Sequence, residues 1–318
     1  MANEQFSFGN IPLMGAGYGI RTQFGIMLPP GGKVAAYVRS TGLQEGDDAA
    51  IVDKLVLTLA AGLARCRSGL GDTVVVLPGH SESVTDATML NSMVAGTRVI
   101  GIGNGSAKPT FRWTATASQW AIAVADVLFC GLKLRLEGAN GVVKAIVTTA
   151  ANTTFFDNEI QVASGASNKA TIAMELGTGA DGAFIASNWW YGTATHNVTD
   201  GIKVVGTAID RVRIVGNIMD FSATAGNGNV HVTAAATKLV IGANVMQNDH
   251  TASTACVAVD NVAATGMIYD NYFSTVNDGV AAAKGVVFAG TATIRTFQNF
   301  SSDEPRKSGT LAPTAVAT

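Results

Sequence analysis

Short apolar segments alternate with polar, glycine-rich turns along most of the chain, and the alternation recurs with a nearly constant period. An asparagine marks the same place in each repeat, at Asn158, Asn188, Asn217, Asn244, Asn271 and Asn299. The successive intervals are 30, 29, 27, 27 and 28 residues. A repeat of this length is typical of a solenoid, and the spacing of two between apolar positions predicts strands rather than helices.

A second apolar run lies 13 to 15 residues after most marker asparagines, as in Ile172-Ala173-Met174 and Val257-Ala258-Val259. Each repeat therefore holds at least two strands and turns two or three corners. Stacked repeats would lie about 4.8 Å apart, with the markers above one another. Asparagine tolerates a left-handed backbone, and its amide can bond its neighbours in a stack, so we expect a core ladder at a sharp corner. The alternative is an antiparallel β-sandwich with coincidental spacing.

The pattern predicts an all-β chain, a parallel β-helix of about eight or nine coils of 26–30 residues, with four regions. Residues 1–33 form an N-terminal attachment arm, and residues 34–71 hold a strand and a capping helix. Residues 72–303 form the β-helix, and residues 304–318 are a polar, flexible tail. The capping helix is expected from Asp47 or Asp48 to about residue 67, with its apolar stripe at Ile51, Leu55, Leu59 and Leu63.

The arm is apolar but has no periodicity, so it cannot close a core of its own. We expect it to lie on another subunit or another protein, although packing on its own chain is an alternative. Its candidate contact residues are Phe6, Phe8, Leu13, Met14 and Phe24.

The bulk composition excludes several classes of partner. Charged residues make up 14% of the chain and the net charge is −2, without a Lys/Arg cluster, so nucleic acid is not an expected partner. The longest apolar run is too short to span a bilayer, and the first residues lack the features of a secretion signal. The cysteines Cys66, Cys130 and Cys256 each lie in an apolar run and are expected to be buried thiols.

The segment Gly71-Asp72-Thr73-Val74-Val75-Val76-Leu77-Pro78-Gly79 follows the predicted helix and precedes the asparagine-marked coils. In this order the chain resembles the pectin-lyase-like superfamily of single-stranded, right-handed parallel β-helices, over residues 47–303. The short, Ala/Gly/Thr-rich form resembles virion proteins of tailed bacteriophages. The resemblance implies a protein made in the host cytoplasm and carried on the particle surface. Enzymes and inert shafts share this superfamily, so activity depends on the individual residues.

Enzymes of that superfamily use clustered carboxylates, which meet when they share a column on neighbouring coils. Asp181 and Asp210 are such neighbours and could lie about 5 Å apart. Their column otherwise holds only Asp, Asn and Thr, however, which a repeated turn favours. Asp157 and Asp270 share another column but are four coils, roughly 19 Å, apart. Asp157 with Glu159 is the second candidate pair.

We expect no catalytic residues, no metal site and no cofactor. The histidines fall in different columns, which gives no metal-ligand pattern; they are His80, His196, His231 and His250.

The sequence thus favours a non-enzymatic virion structural protein, a head decoration or cement protein that binds the major capsid protein or another virion protein. One alternative is a tail fibre or tailspike that binds, and in some cases cleaves, host surface polysaccharide. A second is a bacterial polysaccharide lyase or hydrolase, which the missing export signal and catalytic set disfavour.

The register also predicts an oligomer interface. The position one residue after each marker is expected to face outward and the next position inward. An apolar stripe then runs along the outside, formed by Trp189, Ile218, Val245, Tyr272 and Phe300. We expect a homotrimer to cover it, the alternative being a loop of the same chain.

Overall fold

The computed structural model describes residues 20–21, 27–45, 47–136, 141–165, 168–192, 198–224, 227–248, 255–275, 284–288 and 292–301. These residues form a parallel β-solenoid of about seven turns, which confirms the predicted all-β parallel architecture, while the count of eight or nine coils stays a prediction. The antiparallel sandwich is wrong, because the strands of the three large sheets pair in parallel with their counterparts one coil away.

The first sheet has eleven strands and runs the length of the solenoid. Leu55–Val56 lies at one edge, followed by Val34–Val38, Thr73–Val76, Arg98–Gly101, Leu128–Cys130, Thr154–Phe156, Phe184–Ala186, Arg213–Val215, Leu239–Gly242, Thr265–Tyr269 and Thr293–Phe297.

The second sheet has nine strands. It begins with the strand that follows Thr73–Val76 of the first sheet, and each later coil adds one strand. They are Ser81–Val84, Thr110–Trp113, Lys133–Arg135, Glu159–Gln161, Trp189–Tyr191, Ile218–Asp220, Val245–Asn248, Tyr272–Thr275 and Phe300–Ser301.

The third sheet begins later, and it determines how many turns have three sides. Its parallel strands are Trp120–Ile122, Val142–Thr148, Asn168–Leu176, Asp200–Val204, Val230–Val232, Ala255–Val259 and Lys284–Phe288, with Ala163–Gly165 antiparallel to the third of them. Two small pairs complete the described strands, Ile20–Arg21 with Met27–Leu28 and Ile209–Asp210 with Ala236–Thr237.

The core is a column of inward-facing side chains between the three sheets. Trp113 and Trp120 lie near its N-terminal end with ring centroids 5.2 Å apart, and Phe129 stacks on Phe155 at 4.9 Å. Farther along, the first sheet contributes Ile185, Ile214, Ile241 and Ile268, all fully buried. Period-two alternation explains this column, because every second residue of each short strand points inward.

The single capping helix predicted up to residue 67 is wrong. Two short helices, Ala49–Val52 and Leu59–Leu63, are separated by the strand Leu55–Val56. This strand pairs with Val34–Val38, and the backbone nitrogen of Tyr37 donates to the carbonyl of Lys54 at 3.1 Å. A buried strand edge needs such partners, and this requirement outweighs helix propensity here. A 3₁₀ turn at Gly105–Ala107 is the other described helical element.

The corner between the first and second sheets is built differently from the prediction. The marker asparagines are not left-handed; the residue before each of them is, with φ between 52° and 64°. These residues are Asp157, Ser187, Gly216, Ala243, Asp270 and Gln298. The turn thereby leaves each asparagine side chain free to point inward.

One residue of the described N-terminal region packs on the body of the solenoid. Leu28 is buried in a second apolar cluster with Tyr37 and Val75, outside the first sheet. The arm residues Phe6, Phe8, Leu13, Met14 and Phe24 lie outside the described residues, as does the tail at 304–318.

Candidate functional site

The marker asparagines form a hydrogen-bonded ladder along the inside of the corner. Oδ1 of Asn217 accepts from both the backbone nitrogen and Nδ2 of Asn188, each at 3.0 Å. Nδ2 of Asn217 donates in turn to Asn244 Oδ1 at 3.0 Å and to the carbonyl of Ile185 at 2.9 Å. The same bonds connect the rest of the ladder, formed by Asn158, Asn188, Asn217, Asn244, Asn271 and Asn299.

The ladder begins at a leucine. The backbone nitrogen of Leu132 donates to Asn158 Oδ1 at 3.0 Å, but the leucine side chain cannot continue the ladder. Gly131, at φ 70°, takes the left-handed position before it. The ladder therefore belongs to the regular coils and stops where the irregular ones begin.

The candidate carboxylate pair, Asp181 and Asp210, lies in a hydrogen-bonded turn column. Asp181 Oδ1 accepts from the backbone nitrogen of Asp210 at 2.7 Å, and Asp210 Oδ1 accepts from Thr237 Oγ1 at 2.7 Å. The hydrogen bond from Thr237, aided by the charges of Lys238 and Arg211, lowers the pKa of Asp210. A general acid in a glycosidase needs a raised pKa, whereas the pKa of Asp210 is lowered.

The members of the second candidate pair, Asp157 and Glu159, have different surroundings. Asp157 lies at the left-handed corner, whereas Glu159 is in the strand Glu159–Gln161. Glu159 Oε1 is 2.5 Å from Lys133 Nζ and accepts from the Tyr191 hydroxyl at 2.8 Å. Partial burial raises the pKa of Glu159, but these two hydrogen bonds outweigh burial and lower it overall. Glu159 is therefore biased toward the ionised form.

The outer stripe consists of Trp189, Ile218, Val245, Tyr272 and Phe300, which are adjacent in the register of the second sheet. Each side chain is 47–51% exposed, whereas the next residue on each of the first four strands is buried. The expected outward and inward directions are therefore present. The interface role assigned to the stripe stays a prediction.

A companion stripe lies on the other side of the corner, on the first sheet. It consists of the residues two before each marker, Ala186, Val215, Gly242, Tyr269 and Phe297. The ring of Tyr269 lies over Gly242, where an added Cβ would be 2.6 Å from the ring. Tyr269 also stacks on Phe297, with centroids 5.3 Å apart, and Phe297 is 46% exposed. Only the outer stripe was predicted from the sequence.

A histidine between two carboxylates joins three coils on the third sheet. His231 Nδ1 is 2.5 Å from Asp200 Oδ1, and His231 Nε2 is 2.7 Å from Asp260 Oδ2. Lys203 Nζ lies 3.2 Å from the other oxygen of Asp200, as an ion pair without hydrogen-bond geometry. Burial opposes the imidazolium, but the hydrogen bonds and charges of Asp200 and Asp260 outweigh it and raise the pKa of His231.

The residues of this cluster stand at different positions of their repeats, so no single column of the sequence predicts it. Asp200 begins a strand, His231 is in the middle of one and Asp260 follows one, so they occupy different columns. Their separations of 31 and 29 residues, close to the repeat length, were the available signal. His196 and His250 lie outside the described residues.

His80 and Glu82 form a second polar group near the first coils. The backbone nitrogen of Ser40 donates to His80 Nδ1 at 3.0 Å, so Nε2 carries a proton and donates to Glu82 Oε2 at 3.0 Å. The same Glu82 oxygen accepts from the backbone nitrogen of Leu59, at the start of the second helix. The contacts with Ser40 and Leu59 join separate segments of the chain, which is a structural use of these groups.

None of the three cysteines, all of them in the described residues, forms a disulfide, and Cys130 and Cys256 are buried. Burial, with a smaller contribution from Asp157, raises the pKa of Cys130 to about 12. Burial and Asp72 raise the pKa of the partly buried Cys66 to about 11. Such thiols are poor nucleophiles and poor metal ligands at neutral pH.

Within the described ranges, no group of three or more His, Cys, Asp or Glu side chains has the arrangement of a metal site. The longest α-helix in the described residues, Leu59–Leu63, has five residues. No helix in this part of the chain has the length and apolar character that crossing a membrane requires. Comparisons with protein families, curated proteins and solved structures found no match to this chain.

Proposed function

We propose that the chain is a non-enzymatic structural protein of a tailed-phage particle, a decoration or cement protein of the head. It is made in the host cytoplasm and acts on the particle surface, where it binds the major capsid protein or another virion protein through its N-terminal arm. The virion assignment rests on the sequence resemblance.

One structural observation supports the non-enzymatic part of this proposal. The polar columns that would have to supply catalytic groups are used for contacts between coils instead. Asp181 binds the backbone of the next coil, and Asp210 is bound by Thr237 of the coil after it. The asparagine ladder is a second such column, and bonds of this kind between coils suit a stiff scaffold better than a reactive cleft.

The finer features of the fold belong to the same proposal. We take the solenoid to be right-handed and pectin-lyase-like, with the incomplete first coils bringing the count to eight or nine. Leu59 and Leu63 of the second helix are fully buried in the main core beside Val38 and Val74. A helix in this place would cover the apolar end of the solenoid, as terminal caps do in repeat proteins.

A second candidate function is glycan binding by a tail fibre or tailspike. Trp189 stacks on Tyr191, with ring centroids 4.8 Å apart, and is half exposed. The Tyr191 hydroxyl contacts Glu159 and Gln161, so an exposed aromatic face lies beside polar groups. Aromatic side chains with convergent polar groups are common in ligand sites.

Two measurements test these assignments. Antibody-labelled negative-stain images of phage particles should show label on the head; label only on the tail would favour the glycan-binding candidate.

Full-length protein should also attach to particles that lack it, whereas a chain without residues 2–26 should stay folded but not attach. This deletion spares Leu28, which packs on the solenoid. Attachment of the truncated chain would exclude the arm as the anchor.

A further inference from the structure

The two apolar stripes flank one corner of the solenoid and together form a ridge parallel to its axis. The outer stripe follows the marker asparagines, and the companion stripe precedes them. Of the described side chains, many of the large apolar ones that remain exposed lie on this ridge, including Met267 at 40% beside the companion stripe. The ridge ends toward the N-terminus at the ion pair of Lys133 and Glu159.

The size of the ridge indicates a partner protein. Three of the five half-exposed side chains of the outer stripe are aromatic, and an aromatic side chain presents about 150–250 Å². With the smaller Ile218 and Val245, the stripe offers on the order of 400 Å². This is as large as the largest apolar patch of a typical monomer. It is less than the roughly 800 Å² that each partner buries in a stable interface, so a second surface is needed. The nearest apolar surface is Met267 with the accessible part of the companion stripe, which is Val215, Tyr269 and Phe297, since Ala186 and Gly242 are buried.

We propose that the outer stripe of one copy packs on the companion stripe of the next, so that identical chains close into a ring with parallel axes. A twofold contact of outer stripe on outer stripe would leave Met267 and Phe297 exposed. Contact between unlike stripes covers both, and repeated contacts of this kind form a ring. A trimer is the smallest ring in which each copy makes two separate contacts.

The charges at the edges of the ridge fit this arrangement. On the coil of Asn217, Asp220 lies two residues beyond Ile218, and Arg213 lies two residues before Val215; both are exposed. Rotation about an axis parallel to the solenoid keeps equal heights opposite each other. Asp220 of one copy therefore faces Arg213 of the next, and the apolar contact lies between this pair and the corner.

The inference goes beyond the proposed function and does not depend on attachment to a particle, so it is tested on the isolated chain. Sedimentation should give about three times the chain mass of 32.6 kDa. Two variants separate the stripes, Trp189→Glu with Tyr272→Glu on the outer stripe, and Met267→Glu with Phe297→Glu on the companion side. Each variant alone should be a monomer with unchanged circular dichroism.

Mixing the two variants provides the decisive measurement. Each retains one intact stripe, so an equimolar mixture should give a one-to-one dimer through the single contact that remains. Val143→Glu and Val262→Glu are matched controls, because both side chains are more than half exposed elsewhere, and they should keep the mass of the wild type.

Three results would overturn the ring. A companion-side variant that still associates alone would show that like stripes pair. A mixture that stays monomeric would show that the two stripes do not meet. A monomeric wild-type chain would show that another part of the same chain covers the ridge.

Discussion

Asn217 binds Asn188 through a single oxygen atom: Oδ1 of Asn217 accepts hydrogen bonds from both the backbone nitrogen and the side-chain nitrogen of Asn188. The coil that carries Asn217 thus satisfies two donors of the coil before it, inside a corner that water does not reach. Each further asparagine repeats the arrangement. An amide is well suited to this position because it donates and accepts at once.

Replacement of Asn217 by alanine should be strongly destabilising. It leaves both donors of Asn188 and the carbonyl of Ile185 without these buried partners. With about 1–3 kcal/mol for each buried group left unsatisfied, the loss should be on the order of 3 kcal/mol or more in urea unfolding. Asn261→Ala, at a more exposed turn, is the control and should cost much less. Equal losses at both sites would contradict the importance of the ladder.

Replacement of Asp181 and Asp210 together by asparagine should change the thermal midpoint by less than about 4 °C, since asparagine also suits these turns. Neither the wild type nor the variant should release reducing ends or unsaturated products from bacterial capsular or lipopolysaccharide glycans. Release by the wild type that disappears in the variant would make the protein an enzyme.

The raised pKa of His231 predicts a stability contribution that depends on pH. The charged imidazolium binds Asp200 and Asp260, so the contribution is fully present below the unfolded value of about 6.5. It is lost as the pH rises through the higher folded-state pKa. The difference in unfolding free energy between wild type and His231→Gln should therefore shrink from pH 6 to pH 9. A difference that stays constant over this range would mean that His231 does not change its charge there.

The thiols of Cys66 and Cys130 should resist alkylation in the folded protein. Their pKa values of about 11 and about 12 leave little thiolate at pH 8, and Cys130 is also buried. Mass spectrometry after iodoacetamide treatment should show both unmodified until denaturant is added. Rapid modification of Cys130 under native conditions would contradict its placement in the structure.

The regular coils could be predicted because their residues obey a local rule. A marker asparagine followed by an outward and then an inward residue fixes the register of the second sheet, and the structure has this order at Trp189 and Trp190. The irregular N-terminal part could not be predicted in this way. The apolar spacing there predicted a helix, and two short helices do form. Between them, Leu55–Val56 pairs with the edge of Val34–Val38, and only the folded arrangement reveals that this edge needs hydrogen-bond partners.

The candidate site shows the same limit. Asp181 and Asp210 could be placed in one column from the sequence, yet their bonds to neighbouring coils depend on the turn that they form. The contact of His231 with Asp200 and Asp260 joins unequal positions of three coils. Side chains that reach across the repeat in this way share no column, although their separations stay close to the repeat length.

The uniform ladder also has a consequence for how the chain folds. Every step offers the same donors and acceptors, so Asn188 bound to Asn244 would satisfy the same groups as Asn188 bound to Asn217. Correct alignment must then come from residues that do not repeat, such as Trp113, Trp120 and Leu132 at the N-terminal end. Chains that pair before this end has formed should become trapped with a coil looped out, so refolding yield should depend on the unique end of the protein.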